Sequence, residues 1–459
     1  MKGCLVFLLL PVLALAQGDP SADAAADDSR GDDARGNDAR GNDARGNDAW
    51  EEDAFGEDEW EDWDEAEAGS PWTGFLEAGA GVRTQDDPLI DEAATLGELR
   101  GRIEATWHPR AFTLALKADL GYDGITNDTV ADARELTAAF SVAGSTDVKA
   151  GRQVQTWGVG DLVFLNDLFP KDYDSFFAGR DDEYLKAPGD SLRISRYGAA
   201  INADFVWTPR FEPDVYLAGE RFSFFSPLAG GNVAPEPPLA AVEPEQDFEN
   251  GEFALRLFRT VGTAELAGYA YRGFFKQPTA LTASFEPTFA PMSAWGASVR
   301  RPVGSGIFSG EFAWYDSRDD GSGSDPLTPN SQLRYLAGWE WEARPNFTVG
   351  LQYYVEQTLD YEALMANSPA PAFEPDEYRQ VVTNRLTWRL ARDRYTLSLF
   401  SFWSPSDDDF YFRPAFAFRR DDHWLLVAGA NLFGGSEPQT FFNQLRNGSN
   451  VYARLRYSY

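Results

Sequence analysis

A set of arginines is placed where it could act together. In segments that alternate polar and apolar residues, Arg385 and Arg389, then Arg413, then Arg454 and Arg456 fall on the polar side, and Arg100 and Arg102 do the same near the other end of the chain. Fixed guanidinium groups on one wall attract and orient anions through charge and forked hydrogen bonding. The opposite chemistry is concentrated in one aperiodic stretch, which carries Asp161, Asp167, Asp172, Asp174, Asp181, Asp182 and Glu183. A positive wall facing a negative loop sets up a transverse field across the water between them, and charged rings of this kind set the selectivity of a pore. In the plainer alternative the arginines pair with acids on the wall itself, such as Glu98, Glu104 and Glu340, and hold it up.

Chemistry of bond breaking is poorly provided for. The chain has two histidines, His108 and His423, both in segments read as tight turns, and one cysteine, Cys4. No nucleophile and base can be brought together from these, so no catalytic residue is expected. Nor is a metal site or a cofactor. The acidic runs Asp319-Asp320 and Asp407-Asp408-Asp409 read as solvated loop tips in preference to Ca²⁺ ligands.

A wall of this kind needs strands long enough to cross a membrane. In 95–107, Leu99, Gly101, Ile103, Ala105 and Trp107 face one way and Glu98, Arg100, Arg102, Glu104 and Thr106 the other, so one face suits lipid and the other a wet lumen. The pattern recurs in 73–84, 111–122, 135–142 and from 146, then near 191–207, 213–223 and 251–260, and on to 449–459. Connections alternate between short ones, such as 208–211 and 261–262, and long ones rich in Pro, Gly, Asn and Asp, such as 224–250. The expected fold is all-β: a transmembrane antiparallel up-and-down barrel over residues 71–459, of about eighteen strands with sixteen as the alternative. Aromatic residues make up 14% of the chain, which suits girdles at two membrane interfaces. Trp107, Phe140, Trp207, Trp341, Trp388, Phe418, Tyr457 and Tyr459 are expected to form the one at the short-turn end.

The termini place the barrel. Residues 1–16 combine a lysine, an apolar run and Ala14-Leu15-Ala16, the pattern of a cleaved secretory signal. Residues 17–70 hold RGNDA repeats and about twenty acids against four arginines, so they read as a disordered acidic tail. With a net charge of −33, nucleic acid is not an expected partner. The last strand ends on Tyr459 with Val451, Ala453, Leu455 and Tyr457 on one face, which resembles the C-terminal signal read by the barrel-assembly machinery of Gram-negative outer membranes.

The stretch GRQVQTWGVGD, followed by FLNDLFPKDYD, resembles the G-R-Q-x-x-x-W-G…N-D…P-x-D pattern of porin-like outer-membrane families, and more loosely of alginate-export-type channels. The resemblance covers about forty residues. It implies that Arg152, Gln153, Trp157, Asp161, Asn166, Asp167, Asp172 and Asp174 form a conformational or binding unit, and that residues 159–190 are the loop that porins fold inward to narrow the channel. Strict alternation turns Arg152 toward lipid unless a bulge at Gly151 redirects it. The expected function is a passive channel for small polar or anionic solutes, in the outer membrane of a Gram-negative bacterium with both termini and the tail in the periplasm. A barrel serving an export system for hydrophobic compounds, with the tail docking to a periplasmic partner, is the alternative. A closed structural barrel is a third.

Overall fold

The computed structural model describes residues 72–459. The expected signal sequence and acidic tail lie outside the described residues. Eighteen strands form one antiparallel sheet. In chain order they are β1 (Trp72–Arg83), β2 (Ala94–Trp107), β3 (Thr113–Asp123), β4 (Asp128–Val142), β5 (Thr146–Val154), β6 (Pro188–Arg196), β7 (Asn202–Thr208), β8 (Glu252–Val261), β9 (Ala264–Phe274), β10 (Pro291–Val303), β11 (Gly306–Ser317), β12 (Gln332–Arg344), β13 (Phe347–Thr358), β14 (Tyr378–Leu390), β15 (Tyr395–Ser404), β16 (Asp409–Arg419), β17 (Trp424–Gly435) and β18 (Asn450–Ser458). Each pairs with its neighbour, and β1 pairs with β18 from Phe75↔Ser458 to Arg83↔Asn450, so the sheet closes without an edge.

Alternation explains the wall. Leu76, Leu99, Leu120 and Leu136 stand exposed on the outer face, while Glu77, Arg100, Arg102 and Asp119 are buried on the inner one. Outward aromatics pair across strands near the short turns: Trp72 with Trp107, Phe347 with Trp388, Tyr395 with Phe418 and Trp424 with Tyr457, at centroid distances of 5.3, 6.1, 5.2 and 4.9 Å. A second set, including Trp295 against Trp314 at 5.1 Å, sits near the long loops. Two such belts flanking an apolar band mark a membrane-spanning barrel.

The strand count agrees with the sequence reading, but the middle of the chain is built differently. Residues 191–207 are not one strand. They are the end of β6, a turn over 197–201, and β7. Residues 213–223 form no strand and belong to a long connection from Thr208 to Glu252, so 208–211 is no short turn. Trp207 therefore lies at the long-loop end, 6.0 Å from Phe248, outside the short-turn girdle. Strand β4 starts at Asp128, earlier than 135, and bulges against β3 between Lys117 and Ala118. The extra residue is Arg134, whose guanidinium turns into the lumen. Two of the acidic residues read as solvated tips, Asp320 and Asp409, are buried and accept backbone N–H bonds from Asp325 and Phe442.

Candidate functional site

The connection from β5 to β6 folds into the barrel. Two glycines make its first arm possible: Gly158, at φ +89°, where a Cβ would stand 2.9 Å from the Glu311 carboxylate, and Gly160, where it would stand 2.2 Å from the Val163 carbonyl. The arm is then fastened to the β9–β14 wall. Glu311 on β11 accepts from the backbone N–H of Val159 and of Asn166, both at 2.9 Å, and from Asn166 Nδ2 at 2.8 Å. Gln352 on β13 bridges both backbone groups of Asp161 at 2.8 Å. The Asp161 carboxylate takes a forked pair of bonds from Arg385, at 2.5 and 2.7 Å. Trp157 packs edge-on against Phe169 at 5.0 Å, and Asp167 accepts from Thr156 and Lys171, both at 2.8 Å.

The second arm begins with a short helix, α1 (Tyr173–Ala178), capped at its start by the Asp172 side chain on Ser175 N–H and ended by Gly179 at φ +90°. Its Phe177 packs edge-on against both Tyr411 and Phe433, 5.8 and 5.4 Å away, and these two rings stack on each other at 4.5 Å. Asn431 and Asn450 donate to the Phe177 carbonyl. That part of the lumen is packed like a protein interior. The chain then runs along the arginines of the closing strands. Arg180 reaches Glu98 at 2.8 Å and Asp123 at 2.6 Å. Asp181 meets Arg454 and Arg456, Asp182 meets Arg413 at 2.5 Å, and Glu183 meets Arg102 at 2.5 Å. The bulged Arg134 donates to the Glu183 and Lys186 carbonyls.

The arginine sector is thus real in placement but does not face the loop across open water, as the transverse-field reading requires. The loop is docked on it. Arg102, Arg385, Arg413, Arg454 and Arg456 bind loop carboxylates directly; Arg100 pairs with Glu98 and Asp119 on the wall; Arg389 lies near the short-turn end, 4.0 Å from Asp393. A guanidinium buried alone costs several kcal/mol, and a wall of them is tolerated only because each is matched.

The residues of the sequence motif are scattered. Trp157, Asp161, Asn166 and Asp167 belong to the first arm. Asp172 caps α1, and Asp174 binds Arg221 at 2.9 Å. Gln153 points inward and donates to Ser191 O. Arg152 does not join the constriction. Gly151 has φ +127° but leaves the register unbroken, so Arg152 stays opposite the lipid-facing Leu136 and pairs with Asp190 and Glu212 at 3.3 and 3.6 Å. Sequence reasoning missed Glu311, Gln352 and Arg221, which bind the loop from distant segments with no local signature, and Arg180, by which the loop itself reaches Glu98 and Asp123. Arg221 is supplied by the 209–251 connection and ties Asp174 of the inward loop to Asp123 of β3, at 2.9 and 2.5 Å, so a second loop braces the first.

Docking changes how the loop acids titrate. Burial alone raises the Asp181 carboxyl, but Arg454 and Arg456 outweigh it and hold the group below the usual carboxylate range. Asp182 is lowered in the same way by Arg413, and Glu183 by Lys117, Arg102 and Arg134, against burial in both cases. Asp172 goes the other way, raised by burial that Arg180 only partly offsets.

No protein-family model and no curated protein matches the sequence. Solved structures do match in shape. OccK11 (OpdR) of Pseudomonas aeruginosa aligns over 84% of this chain and 95% of its own, at 11% identity and a TM-score of 0.50. OccAB1 of Acinetobacter baumannii gives the same coverages and TM-score at 9% identity. A mutant of the Rh. blastica porin aligns over 84% of this chain and 99% of its own, at 11% identity and a TM-score of 0.40. The barrel has the porin fold. At these identities the likeness is one of architecture, so in this porin fold the roles of individual side chains rest on the contacts described above.

Proposed function

We propose that the chain is a passive channel for small polar solutes in the outer membrane, narrowed by the loop between β5 and β6. The observation that carries this reading is the presence of partly water-exposed charged side chains in the lumen on both sides of the loop. Arg334 and Glu356 pair at 3.1 Å toward the long-loop end, and Lys117, Glu104 and Lys149 lie toward the short-turn end. Each of these pairs keeps 18–35% of its side chains open to the lumen, more than the pairs that fasten the loop to the closing seam. The buried side chain of Gln155, with no partner among the described residues for either amide atom, adds a polar group for water to satisfy. The aromatic end of β18 supports delivery by the barrel-assembly machinery, with the start of β1 and the end of β18 at the short-turn, periplasmic end.

The test is single-channel conductance of the refolded protein in a planar bilayer, for the wild type and a variant lacking 161–182. A stable conductance that rises on removing the loop is the expected result. Silence in both forms refutes the channel and leaves the closed barrel.

A further inference from the structure

We infer that the channel prefers cations, inorganic ions and small protonated amines, over anions. The inference rests on the channel reading and deepens it. An arginine-rich wall suggests the reverse, so the argument turns on which member of each ion pair faces the water.

In the pairs that fasten the second arm, the carboxylate stands in front. The Asp182 side chain is 41% exposed and its partner Arg413 8%. Glu183 is 24% exposed against 2% for Arg102, and Asp174 is 23% exposed against 2% for Arg221. Asp161 and Arg385 are exposed alike, at 33% and 31%. Lys117, Arg456, the nearly buried Arg180 and, toward the long-loop end, Arg334 run against the pattern. Lys117 is flanked by Glu104 and Glu183, and Arg456 is bound by Glu77 and Asp181.

Each of the fronting pairs is a dipole with its negative end toward the solute. A guanidinium covered by its own carboxylate cannot offer the forked hydrogen bonds that recognise an incoming anion, because its donors are already engaged. Arg102 shows this fully: Asp119 takes Nε and Nη2, Glu183 takes Nη1, and Tyr184 accepts from Nη2 as well. The exposed oxygens of Asp161, Asp182 and Glu183 keep lone pairs free for a cation or an ammonium group. A local potential of only about one kT, modest beside those in charged clefts, concentrates monovalent cations about sevenfold over anions. Screening shortens the reach of that potential to about 10 Å at about 0.1 M salt, so the preference weakens in concentrated salt.

The experiment is the reversal potential of the refolded wild type in a planar bilayer across a KCl gradient at low ionic strength. The expected sign is that of K⁺ permeation, with a K⁺ to Cl⁻ permeability ratio that falls as both sides are raised toward molar salt. The double variant Asp161→Asn with Asp182→Asn is expected to shift the reversal potential toward chloride. Swelling of proteoliposomes should be faster with lysine than with glutamate. A conducting wild type that favours Cl⁻, or shows no preference at low salt, overturns the proposal and leaves the channel standing; a wild type that does not conduct overturns the channel itself. The wild-type sign decides the question even if the double variant does not refold.

Discussion

Asp181 of the inward loop lies 3.1 Å from the guanidinium of Arg454 on the last strand, and the same carboxylate oxygen reaches Arg456 at 3.2 Å. Glu77 on the first strand holds both arginines from the other side, at 3.2 and 2.8 Å. Two carboxylates and two guanidiniums thus join the loop to the seam where the barrel closes.

Asp181→Asn keeps the shape and removes the charge, leaving Glu77 alone against two buried cations. Breaking a buried pair on one side typically costs about 3 kcal/mol. The expected outcome is a barrel that still forms but whose residues 173–185 exchange amide hydrogens faster, with larger open-channel current noise. Unchanged exchange in the loop would show that the pair does not hold it.

Acid should leave docking intact until well below neutrality. Asp181, Asp182 and Glu183 have lowered values, so their contribution is complete above the ordinary carboxylate pKa of about 4 and is lost only as pH falls through the lowered ones. Asp172 and Asp214, raised chiefly by burial, shed an unfavourable charge earlier, as pH falls through their raised values. The hold of Asp181, Asp182 and Glu183 should therefore be unchanged from about pH 7 to about pH 5, and conductance should rise through loss of docking only in stronger acid. A transition near neutrality would contradict this account.

Gly296 on β10 leaves room for Asn166. A Cβ there would stand 1.7 Å from Asn166 Oδ1 and 2.6 Å from the Phe312 carbonyl. Gly296→Ala is predicted to push Asn166 away from Glu311 and raise conductance while the barrel still migrates as a folded species in unheated detergent gels. Equal conductance in mutant and wild type would mean the first arm tolerates the shift.

Tyr411 is fully buried, stacks on Phe433 and donates to Asn431 at 2.7 Å. Tyr411→Ala opens a cavity beneath α1 at a cost of about 4 kcal/mol, whereas Tyr411→Phe loses one hydrogen bond, about 1 kcal/mol. Urea titration of the refolded protein in detergent should rank the two in that order.

The outline of the barrel was legible because lipid and water impose period two on each wall strand, and 95–107 shows it without interruption. It failed at 191–207 because Tyr197, Gly198, Ala199, Ala200 and Ile201 make a turn without proline, asparagine or aspartate, so no such turn signal interrupts the segment. It failed at 213–223 because a loop packed inside a barrel mixes polar and apolar residues as a wall strand does: Asp214 and Arg221 are buried against polar partners and Phe222 among apolar ones. The inward loop and its acids could be read from sequence, and so could the arginines. Their mutual pairing could not, since which of two charges faces water is fixed by contacts among β2, β16 and β18 that no local pattern records.

The pairing of β1 with β18 carries a consequence for biogenesis. Arg454 and Arg456, which grip the loop, lie on β18, and they come beside Glu77 only when that strand pairs with β1. Until then, the second arm lacks its hold on the seam. The narrow state is thus withheld from an open sheet, and completion of the cylinder doubles as the signal that tightens its waist.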